Sequence, residues 1–136
     1  RGISFPGYKM YMSSIQAKII QNNFKNFEEK MSYLDYIVDT YNKELGYSNS
    51  SKHLYRIETT DNVSFIKKMK DVGITCGIHY DALHLNSVYS KLNLAKRYRT
   101  YKESERIKDR TVSLPMNETM SMIDLEYVID KVKSFL

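Results

Sequence analysis

Asp71-Val72-Gly73-Ile74-Thr75-Cys76-Gly77-Ile78-His79-Tyr80-Asp81-Ala82-Leu83-His84-Leu85 is the stretch on which the fold turns. Ile74, Cys76, Ile78 and Tyr80 alternate with Thr75, Gly77 and His79, the two-residue period of a β-strand. Gly73 stands just before the alternation, where a helix takes a left-handed terminating residue. A strand that starts directly after a helix stop marks interleaved α and β elements. The same alternation turns His79 away from the face of Ile74, Cys76 and Ile78, and Gly77 leaves room there for a close approach by another group. His84 falls just past the strand end, where functional loops start.

Upstream, Asp61 is placed to cap a helix running to about Val72, with Phe65, Ile66, Met69 and Val72 inward. Before it, His53-Leu54-Tyr55-Arg56-Ile57-Glu58 alternates like a short strand. Downstream, a basic helical stretch covers about 91 to 109, and Thr111-Val112-Ser113-Leu114 reads as a third strand stopped by Pro115. Ser121 with Asp124 forms a capping-box pattern ahead of a final helix that buries Leu125, Val128, Ile129, Val132 and Phe135. Short connections between these elements predict an α/β chain, specifically an α+β two-layer sandwich.

The N-terminal third is a long amphipathic pattern. Ile20, Phe24, Phe27, Met31, Leu34, Val38, Tyr41 and Leu45 recur at alternating steps of four and three, one face of a helix. Ser13 or Ser14 caps its start and Gly46 its end. One continuous helix there would run about 50 Å, longer than a small domain needs internally. Part of the stripe is therefore expected to serve a neighbouring domain or subunit.

Composition narrows the rest. The 136 residues fit one domain, with no internal repeat and no linker-like run. No apolar stretch reaches the roughly 18 residues of a membrane-spanning helix, and Arg1 to Pro6 lacks the apolar core of a signal peptide. A lone Cys76 excludes an internal disulfide and suits a reducing, cytoplasmic compartment; with His53, His79 and His84 lacking companions at motif spacing, no metal site is expected. The net charge of +5 resides in one segment. Lys91 to Arg110 holds eight cations against Glu103, Glu105 and Asp109, and the remaining chain is neutral. With Tyr98 and Tyr101 interleaved, this segment motivates an alternative reading as a small polyanion- or RNA-binding module over residues 91–110. A solvated helix laced with ion pairs is the commoner meaning of such a run. Gly-rich phosphate loops, nucleophile elbows and paired-Cys motifs are all missing, so no residue is assigned a catalytic role.

Three ordered segments together resemble the C-terminal domain of the DegT/DnrJ/EryC1/StrS family of pyridoxal-phosphate-dependent sugar aminotransferases. Gly7-Tyr8-Lys9-Met10-Tyr11-Met12-Ser13-Ser14-Ile15-Gln16-Ala17 is similar to the family segment that opens a long helix. Asp71-Val72-Gly73-Ile74 followed by His79-Tyr80, Leu83-His84-Leu85 and Tyr89 resembles its Gly-Ile…His-Tyr-x-x-Leu-His-Leu…Tyr signature. Val112-Ser113-Leu114-Pro115-Met116 resembles its Ser-Leu-Pro segment.

The resemblance implies the small domain of an aspartate-aminotransferase-like fold, with a long N-terminal helix and residues 1–136 forming that single domain. It implies transfer of an amino group, usually from glutamate, to a nucleotide-linked keto sugar in surface polysaccharide or amino-sugar biosynthesis. The cofactor-bearing lysine and the carboxylate partnering the pyridine nitrogen belong to a large N-terminal domain that this chain lacks. The chain begins with Arg1, so a fragment, a trimmed piece or a degenerate gene product is expected, inactive alone and acting in a homodimer with its missing half. Lys9 and Tyr11 stand at the positions that reach the cofactor phosphate across the dimer, Tyr11 in place of the usual Arg or Asn, so it brings a hydroxyl without charge. Asp81-Ala82 stands where prolines are common. By the same resemblance His79, Tyr80 and His84 lie towards the sugar nucleotide, whose phosphates, or solvent alone, are better partners for the basic segment than nucleic acid.

Overall fold

Three helices close over one face of a two-stranded antiparallel sheet in the computed structural model, which describes residues 11–88 and 101–136. The elements are α1 (Ser14–Phe24), α2 (Phe27–Leu45), β1 (Tyr55–Glu58), α3 (Asn62–Asp71), a 3-10 turn (Leu83–Leu85), α4 (Lys102–Arg110), β2 (Thr111–Leu114) and α5 (Met122–Phe135). The order confirms the mixed architecture expected from the alternating patterns.

The long helix is interrupted. Its ladder breaks at Lys25 and Asn26, and Asn26 (φ −116°, ψ 26°) starts α2. Asn22, Asn23 and Asn26 crowd this point, and asparagine favours turns and caps over helix interiors. Ser13 and Gln16 form a reciprocal capping box at the start of α1, and Gly46 ends α2 at φ 74°. The apolar stripe changes environment along its length. Val38 and Tyr41 are buried and Met31, Leu34 and Leu45 half-buried, whereas Ile20, Phe24 and Phe27 are exposed. No residue of α1 is buried.

Strand pairing sets Tyr55 opposite Leu114 and Ile57 opposite Val112, all four facing the helices. They join Ile37, Val38 and Tyr41 of α2, Phe65 and Met69 of α3, and Leu125, Val128, Ile129 and Val132 of α5 in one core. Each such aliphatic side chain contributes roughly 1.5–3 kcal/mol by leaving water. Buried polar atoms inside this core are paired: Tyr41 donates to Pro115 O at 2.9 Å and Tyr55 donates to Asn42 Oδ1 at 2.9 Å. Burial pushes the Tyr41 hydroxyl well above the usual tyrosine range. Asn62, itself buried, donates to Lys108 O and Thr111 O, fastening the start of α3 to the junction of α4 and β2.

Two expected strands are shorter than their patterns. His53 and Leu54 precede β1 rather than joining it. The stretch from Ile74 to Tyr80 forms a single antiparallel bridge, Gly77 opposite Ser113, with N···O distances of 3.1 and 2.8 Å. Alternation of burial also lapses there, for Ile74 is buried but Tyr80 is exposed. A two-residue period describes an extended backbone; it does not supply a partner strand to hydrogen-bond along its length.

Candidate functional site

The sheet has a second face, away from the helices, and period-two geometry sends Arg56, Glu58, Ser113 and the position of Gly77 to it. His79 folds back onto this face. A β-carbon built on Gly77 would lie 2.7 Å from His79 Cε1 and 3.4 Å from its Nδ1, so the room left by the glycine is filled by the imidazole of the same loop. That corrects the expectation of a face held open for another group. The His79–Tyr80 peptide is cis, and the two rings meet edge to face with centroids 5.1 Å apart. Tyr80 projects outward at 73 % exposure and lines, with Ile78, Ala82, Leu83 and Lys108, an open cleft of about 430 Å³.

His84 faces a different neighbour. From the 3-10 turn its Nε2 lies 2.9 Å from Glu105 Oε1, and its ring stacks on Tyr101 at 4.2 Å. These contacts tie the loop after residue 77 to α4. Glu105 and Tyr101 were countable in the sequence only as one anion and one interleaved aromatic; their role here depends on a fold that brings residues 84 and 105 together. Ser113, buried on the outer face, was legible only as the strand position opposite Val112 and Leu114 in phase.

The described end of the basic segment is ion-paired. Arg106 bonds both Glu103 (2.9 Å) and Glu58, Arg110 approaches Glu58 at 3.8 Å, and Lys108 meets Asp109 at 2.9 Å. Glu103 first, then Glu58, hold the Arg106 guanidinium above its usual range. These cations behave as a solvated, ion-paired helix face. Lys91, Lys96, Arg97, Tyr98 and Arg99 lie outside the described residues, as does Lys9. Tyr11 lies at 80 % exposure beside an open apolar cleft lined with Met12, Gln16, Ile19 and Ile20. The structure therefore brings His79 and Tyr80 together, sends His84 to α4, and places Tyr11 at the far end of α1. Among the described residues no helix is long and apolar enough to cross a membrane.

Helices packed on one face of a small sheet, with a polar opposite face, are the architecture of part of an aminotransferase-like fold. The same arrangement occurs in a putative sugar aminotransferase, Spr1654, from Streptococcus pneumoniae (20 % identity, TM-score 0.81, 98 % of this chain and 37 % of that one). It recurs in Helicobacter pylori PseC, an aminotransferase involved in the biosynthesis of pseudoaminic acid (18 % identity, TM-score 0.80, 98 % and 40 %). A DegT DnrJ EryC1 StrS aminotransferase from Brucella abortus is 26 % identical, with TM-score 0.76 over 89 % of this chain and 35 % of that one. An uncharacterized Methanocaldococcus jannaschii protein, MJ1066, is 25 % identical over 96 % of the chain, which spans 38 % of that relative's length. The profile of the DegT/DnrJ/EryC1/StrS aminotransferase family matches residues 2–133, and the chain belongs to that family.

Proposed function

We propose that this chain is the C-terminal small domain of a pyridoxal 5'-phosphate-dependent aminotransferase. Its substrate is a nucleotide-linked keto sugar and its amino donor glutamate, in cytoplasmic surface-polysaccharide or amino-sugar biosynthesis. The observation that carries this reading is the family match across residues 2–133 in a chain that spans only 35–40 % of the solved relatives described above. The names of Spr1654 and PseC support the sugar as substrate class. A large N-terminal domain supplies the cofactor lysine, and the two halves work in a homodimer. The exposed apolar residues of α1 support that division. Ile15, Ile19, Ile20 and Phe24 form an uncovered face on a helix with no buried residue, and such a patch calls for a covering partner.

When bound, pyridoxal phosphate supplies an electron sink for making and breaking the carbon–nitrogen bond. The described residues do not fit it by themselves: the cleft beside Tyr11 is lined by Met12, Gln16, Ile19 and Ile20, with no cation to meet a phosphate. Tyr11 and Lys9 contribute a hydroxyl and a cation to a site whose other groups belong to the large domain. On the substrate side, His79 and Tyr80 contact the sugar nucleotide, while His84 anchors their loop through Glu105 and Tyr101.

Titration with pyridoxal phosphate tests the division of labour. The chain alone is expected to give no absorbance band that borohydride removes; such a band would overturn its incompetence alone. Joined to the large domain, the complete protein is expected to aminate a nucleotide-linked keto sugar. Failure across a panel of such sugars with glutamate would overturn the function.

A further inference from the structure

Two side-chain polar atoms among the described residues are buried without a hydrogen-bond partner, His79 Nδ1 and Ser113 Oγ. They share one place. Gly77 and Ser113 exchange backbone hydrogen bonds, so their side-chain directions leave the same face of the sheet, with Cβ positions about 4.5–5.5 Å apart. The His79 ring stands where the Gly77 side chain would be, with Nδ1 3.4 Å from that position. Ser113 is 3 % exposed although it points away from the helices, and on that face the His79 ring covers the position of Gly77, its bridge partner. Orphaned polar atoms are rare in folded proteins, and these two flank the same Gly77–Ser113 bridge from distant parts of the chain.

Their chemistry fixes the direction of the bond. A serine hydroxyl both donates and accepts, whereas each imidazole nitrogen of a neutral ring does one or the other. If Nδ1 carried the proton and donated to Ser113, the hydroxyl proton would still need an acceptor. If Ser113 donates to Nδ1, both buried atoms are satisfied. His79 is only half-buried and Nδ1 is its covered nitrogen, so the N–H on Nε2 is left to the open side.

We propose that Ser113 is a positioning residue: its hydroxyl donates to His79 Nδ1, by rotation about χ1 or through one bound water, and holds the imidazole as the Nε2–H tautomer. His79 then presents a fixed hydrogen-bond donor, suited to an acceptor oxygen of a ligand and not to taking a proton from one. That ligand role rests on the function proposed above, with a hydroxyl, keto or phosphate oxygen of the sugar nucleotide as the acceptor; the tautomer itself does not.

Long-range proton–nitrogen NMR spectra of the full chain labelled with 15N-histidine read the tautomer directly, and His79→Gln assigns the signals. The wild type is expected to show Nε2–H for His79. Ser113→Ala is expected to give a mixture of tautomers, and Ser113→Thr, which keeps the hydroxyl, to restore one. An Nδ1–H tautomer in the wild type, or a tautomer unchanged in folded Ser113→Ala, overturns the proposal. Should Ser113→Ala not fold, Ser113→Cys keeps the volume with a weak donor and carries the same comparison. No cofactor or substrate is present, so an Nε2–H result beside an inactive complete enzyme would sink the proposed function alone.

Discussion

The imidazole of His79 occupies the position that a β-carbon on Gly77 would need, its Cε1 lying 2.7 Å from that point. The contact makes Gly77 a condition for the placement of His79, because any side chain at 77 competes with the ring for the same space.

Gly77→Ala is therefore expected to expel the His79 ring and to destabilise the chain by about 1–3 kcal/mol, the usual cost of overpacking. Urea denaturation measures the loss. In the background of His79→Ala the same substitution should cost much less, and equal costs in both backgrounds would show that the two residues are not coupled.

Leu125 is fully buried and Ile123, on the same helix, is 78 % exposed. Leu125→Ala should cost about 2–5 kcal/mol, whereas Ile123→Ala should stay within about 0.5 kcal/mol. A comparable shift of the urea midpoint for both would contradict the orientation of α5.

Asp61 caps α3, its carboxylate accepting from the Val63 and Ser64 amides and the Ser64 hydroxyl. The Ser64 hydroxyl, followed by the backbone donors, holds its carboxyl below the usual 3.8. A depressed folded value means that the cap stabilises fully above the unfolded value and loses this effect as pH falls through the folded one. Asp61→Ala should lower the melting temperature at neutral pH, Asp61→Asn less so. The deficit of Asp61→Ala should shrink in strong acid; a gap independent of pH would remove the charged cap from the account.

Burial pushes the Cys76 thiol up to about 11. At pH 8 roughly one thiol in a thousand is then thiolate. Iodoacetamide labelling of the folded chain should be slow, rise steadily towards pH 11, and accelerate in urea. Equal rates at pH 8 with and without urea would place Cys76 in a more open setting.

Ile19 and Phe24 on α1 are 56 % and 63 % exposed, so charged substitutions there should leave the unfolding free energy of the chain, read by urea denaturation, unchanged within about 0.5 kcal/mol. If the large domain covers α1, Ile19→Glu should nevertheless abolish association of the separately expressed halves, read by sedimentation. Intact association would place the covering contact elsewhere.

Much of the fold is legible because its signals are local. Asp61, Ser121, Gly46 and Gly73 each need only their next few residues to end or begin a helix, and each does so where its chemistry indicates. The break after Phe24 was hidden because an apolar stripe of unbroken spacing masks a cluster of asparagines whose effect is on the backbone. The alternation from Ile74 to Tyr80 yields a single bridge for the complementary reason: alternation is a property of one segment, while pairing needs two. The site residues split along the same line. His79 and Tyr80 adjoin in sequence and in space, but the partner of His84 is Glu105, and the residue bridged to Gly77 beneath the His79 ring is Ser113.

What the amino-acid sequence determined alone is most of the helices, the two paired strands, the caps and the family motifs, since each depends on side chains within a turn or two of one another. Only the tertiary structure decided which half of the apolar stripe is buried, that α4 spends its charges on Glu58 and its own acids, and that Ser113 bridges to Gly77, whose side-chain position the His79 ring fills. Those outcomes depend on which distant segments meet across the sheet, and the free energy of such meetings comes from burying the whole core, not from any residue's local pattern.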